Sequence, residues 1–165
     1  PTISDLKDYN VKQVDFINDE APYTEEKFDF IFSKSVVEHL QEPSGYLSAI
    51  YQSLEDGGKA VIMTPSWSHT YWGPFYIDYT HVTPFTAYSL QSALEMAGFE
   101  NVNVKYFYQL PVLWKYPWLT PFIKLFSKLP LPYAPYNKVP WSIANKFNKL
   151  IRFSKEPMLI AIVEK

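Results

Sequence analysis

Several groups of residues in this 165-residue sequence have the types and spacing that chemistry uses. His81 follows Asp78 by three positions in Asp78-Tyr79-Thr80-His81. With an ordinary pKa of about 6.5, an imidazole can take a proton from a hydroxyl near neutral pH, and a neighbouring carboxylate can orient it. The plainer reading is a loop histidine that satisfies backbone groups among proline and aromatic neighbours. Asn18 and Asp19 close a short apolar run, where a carboxylate can accept hydrogen bonds from a ligand or simply face water; Asp15 and Glu20 leave the register open. Ser33 and Lys34 end a second run, a place for ligand contacts or a mere strand terminus. Glu38-His39 comes directly afterwards, suited to holding a loop by hydrogen bonds rather than to catalysis. Trp67, Tyr71, Trp72 and Tyr76 crowd into ten residues, as a wall against a ligand or as a packed aromatic loop. The spacing shows no metal-ligand set, and the lack of cysteine excludes disulfides and thiolate-bound zinc.

Elements that would position these groups alternate along the chain. Residues 11–17 form a short mixed run read as a strand. Residues 28–33 are almost continuously aromatic and β-branched, as in a strand buried on both faces of a parallel sheet. Leu47, Ile50, Tyr51 and Leu54 recur at helical spacing until Asp56-Gly57-Gly58 ends the helix, and a strand follows over 59–64. Thr86 caps a helix striped by Leu90, Ala93, Leu94 and Ala97 and closed by Gly98. Strands at 102–108 and 158–163 complete an open α/β sheet, a class that binds ligands at the carboxyl ends of its strands.

The net charge of −2 conceals a dipolar chain. Residues 1–100 carry 15 acidic and 5 basic side chains, whereas 101–155 carry 9 basic and none acidic. Seven of the 14 prolines fall between Pro111 and Pro140 among many aromatics, so 110–152 reads as an insertion in a single domain spanning 1–165. Two basic amphipathic stripes run through it: Leu119, Phe122, Ile123, Phe126 and Leu129, then Ile143, Phe147, Leu150 and Ile151 opposite Asn145, Lys149 and Arg152. Such a segment is either a lid over a substrate pocket or a peripheral membrane contact. With neither a spanning run nor a signal pattern, the default expectation is a cytoplasmic protein, with membrane contact at most peripheral.

Four pieces in register over about 75 residues resemble the successive motifs of class I S-adenosylmethionine-dependent methyltransferases. They are Phe28-Asp29 through Val37-Glu38-His39-Leu40, Leu54 through Gly57-Gly58 to Thr64-Pro65, His81-Val82-Thr83-Pro84-Phe85-Thr86, and Ala97-Gly98-Phe99. The resemblance covers roughly 11–109 and 156–165. It implies a Rossmann-like sheet with a helical insertion before the last strand, and S-adenosyl-L-methionine as cofactor. It implies Asp19, beside Asn18, at the adenine amine, Ser33 and Lys34 at the methionine end, and His81 with Asp78 in a loop facing the substrate. Trp67, Tyr71, Trp72 and Tyr76 would shield the cationic centre and exclude water. The family's glycine-rich turn is missing, since the first glycine is Gly45 and the chain opens at Pro1, so the expectation is a chain truncated at its N-terminal side.

The expected activity is methyl transfer to a small-molecule, glycan or lipid-linked acceptor at a hydroxyl. Other readings stay open: a non-catalytic remnant of the fold acting as a binding module, or a nucleotide-dependent oxidoreductase. Nucleic acid is not an expected partner, because proline-rich basic aromatic sequence alone makes no groove-reading element.

Overall fold

The structure, a computed structural model, describes residues 27–134 and 143–165. The strand expected at 11–17, with Asn18 and Asp19, lies outside the described residues. Four strands form one sheet in the order β1 (Phe28–Lys34), β2 (Leu54–Pro65), β4 (Met158–Glu164), β3 (Val104–Phe107). β1 and β2 run parallel; β4 is antiparallel to both β2 and β3. The sheet is therefore mixed. β1 is an edge strand of the described sheet, and its alternation shows that one face of the sheet is open: Phe30 and Phe32 are 55% and 58% exposed, while Ser33 is buried. The expectation of a strand buried on both faces is corrected, because aromatic content reports strand propensity and not which face has a partner.

On the covered face lie α1 (Pro43–Ser53) and α3 (Ala87–Met96). Proline opens α1, where its missing N–H is not needed, and Leu47 and Ile50 point from it into the core. They meet Ala60 and Ile62 of β2, Leu90 and Leu94 of α3, and Leu159, Ala161 and Val163 of β4 in one apolar cluster. α1 stops at Ser53, before the glycines expected to cap it. Gly57, at φ +79°, and Gly58, where a Cβ would lie 2.9 Å from the Glu55 carbonyl oxygen, instead form an irregularity within β2. Across it the register jumps from Phe28 opposite Leu54 to Phe30 opposite Lys59.

α3 begins as its sequence indicates. Thr86 Oγ1 accepts from the Ser89 N–H at 3.1 Å and Ser89 Oγ accepts from the Thr86 N–H at 2.9 Å, a reciprocal capping box. The segment at 110–152 contributes α4 (Pro111–Lys115), α5 (Thr120–Ser127) and α6 (Ile143–Lys155). Its stripes split between inside and outside. On α5, Phe122 is exposed while Ile123 and Phe126 are half-buried; on α6, Asn145 is buried and Phe147 exposed, the reverse of what periodicity suggests. Packing against α5 helps set the rotation of α6, and a helical wheel carries no information about it.

Candidate functional site

The carboxyl ends of β1 and β2 lie side by side because the two strands are parallel, so their following loops converge. β1 turns off at Ser35, a non-glycine residue at φ +56° whose N–H donates to the Met63 carbonyl oxygen at 2.9 Å. That unusual backbone delivers the chain into a short 3₁₀ turn, Val37–His39, and leaves Glu38 fully buried. Thr64, at the end of β2, donates its hydroxyl to Glu38 Oε2 at 2.9 Å. The Glu38 carbonyl oxygen accepts the N–H groups of Val82 at 2.8 Å and Thr83 at 3.0 Å. Glu38 thus fastens the loop carrying His81 to both strand ends, a loop-holding role as its position in the sequence suggests.

Short helix α2 (Trp67–Thr70) and a 3₁₀ turn, Pro74–Ile77, lead from β2 to His81. His81 Nδ1 lies 2.7 Å from the Phe75 carbonyl oxygen. A carbonyl only accepts, so Nδ1 carries the hydrogen, and in the neutral ring the lone pair is on Nε2. Asp78 was expected to orient this imidazole; the structure gives that task to Phe75, because Asp78 Oδ2 is 3.9 Å from His81 Nε2, beyond hydrogen-bonding distance. Asp78 Oδ1 instead accepts the Thr80 hydroxyl at 2.6 Å and the Thr80 N–H at 3.0 Å. These two hydrogen bonds, the hydroxyl's first, hold the Asp78 carboxyl below the usual range, with help from the nearby His81 and His39 rings. Since the Thr80 hydrogen is committed to Asp78, its oxygen accepts from His39 Nδ1 at 2.8 Å. The His39 and His81 rings meet edge to face with centroids 4.6 Å apart.

His81 and Asp78 open into a cavity of about 260 Å³. Lys34, Ser35 and Pro65 contribute the strand ends, Phe75 the loop, and Gln109, Arg152 and Glu156 the opposite wall. Arg152 Nε is 2.9 Å from Glu156 Oε2, and Tyr133 donates its hydroxyl to Glu156 Oε1 at 2.7 Å. Burial and the adjacent carboxylate push the Tyr133 phenol far above its ordinary value. Arg152, from the 110–152 segment, and its flanking residues Gln109 and Glu156 therefore complete the wall, which no motif announced.

Other sequence-predicted site residues are placed differently. Ser33 Oγ is 2.8 Å from the Tyr46 hydroxyl, turned toward α1, so at this strand end Lys34 and the unforeseen Ser35 are the groups facing the cavity. Trp67, Tyr71 and Tyr76 form an edge-to-face cluster around buried Phe75 and do not line the cavity at His81. Trp72 sits 5.9 Å from the Tyr133 ring and lines a second hollow of about 500 Å³ with His69, Ser127, Pro130 and Lys155. Burial there pulls the His69 pKa below its ordinary value.

Comparison with known proteins decides the family. Residues 3–104 match the family described as "Methyltransferase domain". The chain belongs to this methyltransferase family. A ubiquinone biosynthesis O-methyltransferase of Ruegeria sp. (strain TM1040) is 32% identical over 113 residues. That alignment takes in 55% of the present chain and 42% of the relative, so the chain matches less than half of that protein's length. Among solved structures, a SAM-dependent methyltransferase from Archaeoglobus fulgidus superposes with a TM-score of 0.59 at 24% identity, covering 99% of this chain and 71% of that one. The putative methyltransferase of Haloferax volcanii, solved with the Trm112 methyltransferase activator, gives 0.59 at 13% identity, covering 98% and 66%. These likenesses agree with the Rossmann-like methyltransferase fold expected from the motifs.

Proposed function

We propose that this methyltransferase transfers a methyl group from S-adenosyl-L-methionine to a hydroxyl of a small-molecule, glycan or lipid-linked acceptor bound at the His81 cavity. One observation carries the reading: an imidazole with its Nε2 lone pair available, set by the Phe75 carbonyl, beside an acidic Asp78 where two parallel strands end. The name of the Ruegeria relative supports an oxygen acceptor. When bound, the cofactor supplies a methyl group activated by a sulfonium. The residues present fit it at the place where open α/β sheets hold ligands, since Lys34, Ser35 and Pro65 leave the strand ends open to the cavity. Lys34 and the main chain at Ser33 and Ser35 would hold its amino-acid end, and Asn18 and Asp19 its base. Tyr133, with Trp72 against its ring, would brace the cavity wall through Glu156, and Trp67, Tyr71 and Tyr76 would stiffen the loop behind Phe75.

His81 would take the acceptor hydroxyl's proton at Nε2, which lies 3.9 Å from Asp78 Oδ2. His81→Ala should lower turnover by about 10²–10⁴-fold while S-adenosylmethionine affinity stays within a few fold. Asp19→Ala should do the opposite, weakening cofactor binding with less effect on saturated turnover. Undiminished turnover in His81→Ala would remove His81 from the reaction.

We also infer a working position at an anionic membrane surface. Among the described residues no helix is long and apolar enough to cross a membrane. Yet Trp114, Trp118, Phe122 and Leu125 are exposed on the insertion, with Lys115, Lys124 and Lys128 among them and no acidic residue from 101 to 155. Apolar rings that enter the headgroup zone and lysines that meet phosphate are the features of a peripheral contact.

A further inference from the structure

We propose that Glu38, His39 and His81 form a binding site for a divalent first-row transition metal such as zinc, although their spacing in the sequence announces none. A carboxylate oxygen of Glu38 and one ring nitrogen from each histidine lie within 4.8 Å of one another. The residues come from two loops, after β1 and after β2, that meet only because the strands are parallel neighbours.

Three independent features turn proximity into a ligand set. First, each histidine keeps one ring nitrogen free. Phe75 holds the hydrogen of His81 on Nδ1, and the Thr80 oxygen, its own hydrogen given to Asp78, holds that of His39 on Nδ1. Each neutral ring is left with a bare Nε2. Metal-bound histidines are held in this way, the far N–H given to a backbone carbonyl or to a group backed by a carboxylate. Second, Glu38 is fully buried, and while Oε2 accepts from Thr64, Oε1 has no hydrogen-bond partner. A buried carboxylate oxygen without a donor is costly, and a cation supplies what it lacks. Third, the ligand count is that of a reactive metal site. Three protein ligands leave a fourth position, and His81 borders the cavity assigned to the acceptor.

Bonds of about 2.0–2.2 Å in a tetrahedron place ligand atoms about 3.4 Å apart, so atoms now within 4.8 Å of one another would close only slightly. Two imidazoles and one carboxylate favour zinc-like ions over magnesium or calcium, which prefer all-oxygen shells. One carboxylate against a dication leaves net positive charge, which makes a coordinated hydroxyl more acidic. This role, unlike the site itself, rests on the function proposed above. The acceptor hydroxyl would release its proton to water, and its oxygen would form the new O–C bond as the C–S bond breaks and sulfur keeps the electron pair. With the metal bound, this step would replace the free-base role proposed for His81 above, because its Nε2 lone pair can serve only one of the two.

Cobalt alone is the probe. The full chain, freed of metal by a chelator and dialysed, is titrated with Co²⁺ while the visible d–d absorption of bound cobalt is followed. One equivalent should bind, Zn²⁺ should displace it, and Zn²⁺ should raise the Tm. His39→Ala and His81→Ala, whose rings are only partly buried, should each weaken cobalt binding at least tenfold while keeping the far-UV spectrum of the parent; Glu38→Gln is a third variant if it folds. No cobalt absorption in the parent chain, or binding unchanged in both histidine variants, overturns the site. Full methyl transfer by chelated protein, lost in His81→Ala, overturns the metal's role and leaves the base. Stoichiometric cobalt binding with no methyl transfer to any hydroxyl acceptor supports the site and overturns the proposed function instead.

Discussion

Replacing Thr64 by Val removes one hydroxyl and keeps a β-branched side chain of nearly the same volume, so the packing of β2 should survive. What changes is the environment of Glu38. Its Oε2 loses the 2.9 Å hydrogen bond from Thr64 while Oε1 already lacks a partner, so a fully buried carboxylate is left with neither oxygen paired. A hydrogen bond to a charged group contributes about 1.5–3 kcal/mol, and an acceptor stranded out of water raises the cost toward the upper end. We expect a loss of about 2–3 kcal/mol. With a urea slope of about 2 kcal/mol/M, the unfolding midpoint should fall by about 1–1.5 M. The assay is urea unfolding followed by tryptophan fluorescence at pH 7, with chelator present so that no cation replaces the lost donor. Combining Thr64→Val with Glu38→Gln should cost less than the sum of the two changes, because both remove the same interaction. A Thr64→Val midpoint within about 0.3 M of the parent would refute the reasoning, since a carboxylate indifferent to its donor would have to be protonated or satisfied by another group.

Gly98→Ala should destabilise by about 1–3 kcal/mol, seen as several degrees in thermal unfolding, because φ there is +111° and the new Cβ would lie 3.1 Å from the Tyr51 ring. Stability should also fall with acid. Burial lowers the His69 pKa, so its neutral form is favoured by the fold; that contribution is complete above the unfolded value of 6.5 and is lost as pH drops through the lower folded value. His69→Gln should flatten the pH dependence of unfolding below the unfolded value of 6.5. Asp78, with a pKa lowered mainly by the Thr80 hydroxyl, has its stabilising effect above 3.8 and loses it only in stronger acid. For the membrane contact, sedimentation with liposomes should rise with anionic lipid and fall with salt. It should disappear when Lys124, Lys128, Lys146 and Lys149 become Glu; no sedimentation at low salt would leave the segment as a lid.

Much of the architecture was legible in local patterns because local physics produces it. Thr86 and Ser89 cap α3 through atoms three residues apart, Leu90 and Leu94 share a face by helical geometry, and Gly98 closes the helix because it tolerates positive φ. The motifs around Glu38-His39 and Gly57-Gly58 were enough to bring the family into view, and the prolines from Pro111 to Pro140 set that segment apart in composition. Other features could be decided only when distant segments met. Phe30 and Phe32 look like core residues by composition, and their exposure follows from the face of the sheet they occupy, the one that also exposes Ile162. Asn145 and Phe147 exchanged their expected environments because packing, not periodicity, sets the rotation of α6. The site shows the same division. His81 and Asp78 stood out by residue type, but which atom orients His81 depended on where the Phe75 carbonyl lies. Glu38 and His81 are far apart in sequence, and only the parallel pairing of β1 with β2 brings their loops together with His39. Gln109, Arg152 and Glu156 carry no motif and became part of the cavity because the chain returns to it after β3 and again between α6 and β4. Side-chain type sets what a residue can do; the long-range contacts of the sheet set what it can reach.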